Sequence, residues 1–345
     1  MFRSLLSPFR HTTGIARWLL LTGVVITAVF VICALFAPWI APLDFNQRYV
    51  DGVKLPKQAP PSGEFWFGTN DQFYDVFSRV VWGARTALMV VGLSILFSVV
   101  IGVVLGLISG FIGGWLDRLL VFLMDTLYAF PSLLLAIVFA FLFKDLLGGS
   151  IVAVAMALTV IYIPQYFRVV RNTTVSAREA TYVEAARAIG ARNHTIIGRY
   201  LFGNVIQSVP VIGTLNAADA IGTLAGLGFL GLGIQPNEAA EWGYDVSRAL
   251  DDMGAGIWWT AFFPGMAIVL LVAGLTLVGE GLNETVNPVL RKRRLLPVDM
   301  PAKEPSSYLA EGDAAALGAG APDVWDREDE LRPEREHRVR EDESR

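Results

Sequence analysis

Six long apolar runs, separated by short polar stretches, constrain this chain more than any other feature. They lie at about 18–40, 86–110, 119–143, 151–167, 205–232 and 258–282. About 20 consecutive apolar residues make a helix long enough to cross a hydrocarbon core, where a spanning segment must satisfy its own backbone polar groups. The expectation is an all-α polytopic membrane protein with about six transmembrane helices. Composition agrees: 54% of residues are hydrophobic, 17% are charged and the mean hydropathy is +0.50. The first run is too long for the apolar region of a signal peptide and reads as a retained anchor.

Charge placement orients the spans. Arg3, Arg10 and Arg17 precede the first run, Arg118 follows the second, and Arg291, Lys292, Arg293 and Arg294 follow the last. With Arg168, Arg171, Arg178, Arg187, Arg192 and Arg199 they make fourteen basic residues on one side, against Arg48, Lys54, Lys57, Arg79, Lys144 and Arg248 on the other. The positive-inside bias puts both termini in the cytoplasm. The formal charge of −4 comes from the tail, for the chain up to Leu295 holds 18 acidic and 21 basic residues. The resulting division is an N-terminal segment and first helix (1–41), an external segment (42–85), a five-helix core (86–290) with a cytoplasmic loop (168–204), and a basic stop followed by a disordered tail (291–345). That tail is too poor in apolar residues to order itself.

Cys33 has no partner for an intrachain disulfide, and His11, His194 and His337 are too scattered to suggest a metal site. Gly102, Gly106 and Gly110 recur every fourth residue, a stripe that lets helix backbones approach closely. Gly226, Gly228 and Gly231 spell G-x-G-x-x-G, but no strand precedes them and they lie in an apolar run, so no nucleotide turn is expected. Asp125, in the third run with Pro131, and Asp219, in the fifth near Asn216, are carboxylates within apolar runs. Each needs water or a partner, so Asp125, Asn216 and Asp219 are candidates for a solute path, or else for interhelical hydrogen bonds. The acids Glu238, Glu241, Asp245, Asp251 and Asp252 form an external group that faces a docked partner or solvent.

The polar stretch 176–204 is the exception to the apolar pattern. Ser176 with Glu179 reads as a capping box, predicting a helix of about three to four turns that ends at Gly190. Asn193 is then placed to cap a second short helix. Tyr182, Ala185, Ala186 and Ile189 share one thin apolar face, with Glu184 and Arg187 beside it. Such a face suits docking into a groove of another protein, or lying on the lipid surface.

Glu184-Ala185-Ala186 followed by Gly190 resembles the EAA loop of binding-protein-dependent ABC importer permeases, with Phe202-Gly203 in place of the usual Leu-Pro pair. Other stretches resemble dipeptide and oligopeptide permeases in the expected order. They include Gly68-Thr69-Asn70-Asp71, Asp75 to Arg79, Gly83-Ala84-Arg85, Phe229 to Gly233, Pro264 to Ile268 and Gly279 to Asn283. Phe73-Tyr74 replaces a usual Gly-Arg. The resemblance implies a type I ABC importer permease fold in the bacterial inner membrane. It implies a second homologous permease, two cytoplasmic ATP-binding subunits and an external substrate-binding protein as partners, and a peptide or similar small substrate. Tyr182, Glu184, Ala185, Ala186, Arg187, Ile189 and Gly190 would couple to the ATPase. The chain has no G-x-x-x-x-G-K-S/T sequence, so ATP and Mg²⁺ are expected on the partner, with no cofactor and no catalysis in this chain. The alternatives are a secondary transporter coupled to protons through Asp125, Asp219 or Glu280, and a membrane scaffold that moves no solute.

Overall fold

The structure, a computed structural model, describes residues 15–147 and 150–286. The terminal basic residues Arg3, Arg10, Arg291, Lys292, Arg293 and Arg294 and the tail lie outside the described residues, as do positions 148 and 149 of the loop expected after Lys144. In chain order the elements are α1 (Ile15–Leu35), α2 (Ala37–Ile40), β1 (Tyr49–Val50), β2 (Val53–Lys54), α3 (Val76–Ile112), α4 (Gly114–Ala129), α5 (Ser132–Leu147) and α6 (Ser150–Arg178). They continue with α7 (Thr181–Ala188), a long helical run α8 (Asn193–Phe229), α9 (Trp242–Arg248), α10 (Leu250–Gly254) and α11 (Trp259–Val286).

Five of these helices are long and apolar enough to cross a membrane. The third expected span is not one rod. It is the pair α4 and α5, bent by 101° at Phe130-Pro131. Proline supplies the break, because it cannot donate the helical hydrogen bond and pushes the preceding residue into an extended conformation. Phe130 accordingly has ψ 143°.

Helix α3 begins at Val76, well before the apolar run starts at Thr86. The Asp75 carboxylate caps it, accepting from Ser78 N at 2.8 Å and Ser78 Oγ at 2.6 Å. Its 37 residues span about 55 Å at 1.5 Å per residue, so it projects beyond the hydrocarbon core. The glycine stripe faces α6: a Cβ on Gly102 would lie 2.6 Å from Tyr166 Cβ, and one on Gly110 2.8 Å from Thr174 Cβ. The same interface carries a hydrogen bond from Ser98 Oγ to Thr159 O at 2.9 Å. Helix α1 packs on α11 by a similar device, since a Cβ on Gly23 would lie 2.7 Å from Leu277 Cβ.

The segment between α2 and α3 folds around Thr69. Its hydroxyl donates to Pro56 O and accepts from Ala59 N, which explains the Gly68-Thr69-Asn70-Asp71 sequence as a structural turn. Phe73, where the resemblance expects glycine, holds a φ of +66°. Tyr74 beside it takes the guanidinium groups of Arg48 and Arg79 against its ring, at 4.6 and 4.9 Å.

Candidate functional site

The polar loop departs from its sequence reading at its start. Helix α6 runs on through Ser176, whose hydroxyl donates back to Asn172 O at 3.2 Å, so there is no capping box. An apolar helix already in progress supplies carbonyls for the N–H groups of 176–178, leaving nothing for a cap to satisfy. Arg178 ends α6 by donating to Gly110 O at 3.0 Å and pairing with Glu179 at 2.8 Å. Ala180 is extended, and α7 follows with only eight residues.

Its end agrees with expectation. Gly190 has a φ of +81°, Ala191 N donates to Ala186 O, and Gly190 N donates to Arg187 O. That is the hydrogen-bond pair of a left-handed helix stop. Beyond it Arg192, not Asn193, occupies the cap position, and no side chain caps the next helix. A π-helical turn, Ile196–Leu201, follows in the first part of α8, a feature common at functional sites.

The single apolar face divides in two. Val183 and Ala186 turn inward onto Phe111 at the end of α3, Ile196 and Leu201. Tyr182, Ala185 and Ile189 turn outward, with Ile189 80% exposed, and Glu184 lies exposed between them. A pattern counted from Tyr182 passes over Val183, whose i, i+3 spacing to Ala186 is the signal that places it on the inner face. The Arg187 guanidinium lies 5.6 Å from the Phe111 ring. Asn204 Nδ2 donates to Tyr182 OH at 3.0 Å, tying α7 to the start of α8. The outcome is a short helix fixed on one side and open on the other.

The three candidate path residues do not form one cluster. Asp125 on α4 pairs with Arg168 on α6 at 2.8 Å, both half exposed, and Arg168 also lies 4.1 Å from the Tyr128 ring. Nearby, Arg171 grips Asp117 through Nε and Nη2, the latter at 2.7 Å. Asp219 is not bonded to Asn216; it accepts from Tyr162 OH at 2.8 Å. All these partners lie on α6, the helix that leads into the polar loop.

The acidic group after α8 is mostly interior, contrary to the docking expectation. Glu238 accepts from Ser150 N and Oγ, at 2.9 and 2.6 Å. Glu241 is buried and caps α9 by accepting from Gly243 N and Tyr244 N. Asp245 pairs with Arg79, and Asp252 accepts from Gln58 Nε2. Burial pushes the Glu241 carboxyl up to about 8, against the pull of those two N–H groups. The glycine motif in α8 serves this arrangement, for a Cβ on Gly228 would fall 1.6 Å from Glu241 Oε2.

The family model for the binding-protein-dependent transport system inner membrane component matches residues 102–292, and that for the N-terminal TM domain of oligopeptide transport permease C matches residues 16–61. The dipeptide transport system permease protein DppC of Alkalihalophilus pseudofirmus is 35% identical over 79% of this chain and 86% of its own. The glutathione transport system permease protein GsiD of Shigella flexneri is 38% identical over the same shares. A solved structure of the MetNI methionine ABC transporter, inward facing, aligns with 61% of this chain and 96% of its own at a TM-score of 0.49 and 20% identity. Matched over more than half its length, the chain, with its all-α ABC importer permease fold, belongs to the family of binding-protein-dependent transport system inner membrane components.

Proposed function

We propose that this chain is one permease subunit of an ATP-driven importer for peptides or similar small solutes, seated in a bacterial inner membrane with both termini cytoplasmic. Its partners are a second, homologous permease, two ATP-binding subunits and an external substrate-binding protein. ATP and Mg²⁺ bind the ATPase, and this chain holds no cofactor. The solute class follows the dipeptide and glutathione permeases it is similar to.

The observation that supports coupling through the loop is the one-sided anchoring of α7. Val183 and Ala186 fasten it to the end of α3, while Tyr182, Ala185 and Ile189 remain open to a partner groove. A helix held this way moves as a rigid body with the spans behind it, so closure of the ATPase pair is passed to α3 and α6. In this mechanism Ala185 provides close fit, Glu184 and Arg187 make polar contacts, Ala186 anchors, and Gly190 makes the turn.

The test is substrate-stimulated ATP hydrolysis by the reconstituted complex, comparing wild type with Glu184→Lys and Ala185→Trp. Assembly with lost stimulation is the expected result. Unchanged uptake and ATP turnover in both variants would overturn the assignment.

A further inference from the structure

The interface of α6 and α8 carries a polar seam within apolar spans. Helix α6 contributes Tyr162 and Tyr166, one turn apart, and α8 contributes Asn216, Asp219 and Thr223 at spacings of three and four. Both tyrosines, Asn216 and Thr223 are buried, whereas Asp219 is exposed. Tyr162 OH holds Asp219 Oδ2 at 2.8 Å, which fixes the carboxylate on one side. Among the described residues, no basic side chain pairs with it. A carboxylate facing acyl chains is costly, so this one faces water, a cation or the partner permease and not lipid.

Two further observations give the seam room and donors. On the next turn, a Cβ added to Gly222 would meet nothing within 4 Å, and one on Gly226 would meet only Leu133. In the other direction, Tyr166 OH and Asn216 Nδ2 are buried and face each other, without well-formed hydrogen bonds to the rest of the described chain. A weakly bonded polar pair in a membrane interior has donors to offer a ligand or water in another state.

We propose that Asp219, oriented by Tyr162, receives the α-ammonium group of the transported peptide, and that Asn216 and Tyr166 offer hydrogen bonds to its carbonyl oxygens once α6 and α8 part. The α-ammonium is the chemistry that dipeptides and glutathione share. This rests on the peptide-import reading above. A charge-assisted hydrogen bond to a carboxylate holds an ammonium group without matching side chains, which suits a path that carries varied peptides.

The experiment measures uptake of radiolabelled alanyl-alanine by proteoliposomes holding the complete complex, with Asp219→Asn and Asp219→Glu beside wild type. Asparagine keeps the acceptor for Tyr162 and removes only the charge. Uptake by Asp219→Asn should fall about tenfold or more while the subunits still co-purify, and Asp219→Glu should retain most of it. The α-amine loses its proton above about pH 8, so the ratio of wild-type to Asp219→Asn uptake should narrow between pH 7 and 9. A purely structural aspartate would show no such narrowing. Wild-type uptake in Asp219→Asn, a loss that accompanies loss of assembly, or a pH-independent ratio would overturn the proposal alone. If the wild-type complex moves neither alanyl-alanine nor glutathione, the peptide-import reading falls, and this inference with it.

Discussion

Arg79 and Asp245 lie 166 positions apart and form the most enclosed ion pair among the described residues, with side chains 2% and 7% exposed. The guanidinium reaches both carboxylate oxygens, Nε at 2.8 and 2.9 Å and Nη2 at 2.7 Å, and its Nη1 donates to Phe45 O. The pair joins the first turn of α3 to α9. Trp242, at the start of α9, adds a hydrogen bond to Val80 O at 3.0 Å and occupies space that a Cβ on Gly83 would fill.

Removing one partner leaves the other charge buried and unpaired, at a cost of about 3–5 kcal/mol. Arg79→Met and Asp245→Leu should each lower the thermal midpoint of the purified complex sharply, while the double variant recovers much of the loss. Equal losses in the double variant and the sum of the singles would show that the two side chains act independently.

Glu241 gives a pH dependence whose sign is fixed by its environment. Burial raises its carboxyl from the ordinary 4.5 to about 8 in the folded protein, so the folded state binds that proton more tightly than the unfolded one. The stability it contributes is complete below the ordinary carboxyl range and is lost as pH rises through about 8. Thermal midpoints between pH 5 and 9 should therefore decline, and Glu241→Gln should flatten that decline. A wild-type midpoint that rises across this range would refute the assignment.

The glycine stripe makes a positional prediction. Gly106→Val should destabilise by about 1–3 kcal/mol through overpacking, since even a Cβ would lie 2.9 Å from Phe167 O and from Val170 Cβ. Gly92→Ala, on the same helix, meets nothing within 4 Å and should be silent. Detergent stability of the two variants separates contact from composition; a silent Gly106→Val would show that α3 and α6 have room to move apart.

Features set by neighbours in sequence were legible before the fold was known. The apolar runs located the spans, the four-residue glycine spacing identified a close helix contact, and Gly190 marked a helix stop, because each depends on local geometry. Features set by distant neighbours were not. Ser176 carries a sound capping pattern, yet an uninterrupted α6 overrides it. Pro131 was visible, but whether proline kinks a helix or divides it depends on what packs around the break. The acids Glu241 and Asp245 looked like solvent groups because their partners, backbone N–H groups at a helix start and an arginine on α3, are invisible to spacing.

The divided faces of α7 yield the last prediction. An outward residue touches only what docks, so Ile189→Asp should leave the permease folded and the 176–204 loop as resistant to protease as before, while weakening retention of the ATPase and its stimulation by substrate. An inward residue holds the helix in place. Val183→Asp sets a carboxylate against the apolar Phe111, Ile196 and Leu201, and should expose the loop to protease before any effect on docking is measured. Partial truncation by Val183→Ala should fall between wild type and Val183→Asp in cleavage rate, which separates a lost anchor from gross misfolding. Comparing cleavage rates and ATPase retention across the three variants decides the matter. Should Ile189→Asp loosen the loop and Val183→Asp leave it intact, the assignment of inner and outer faces, and with it the rigid-lever mechanism, is wrong.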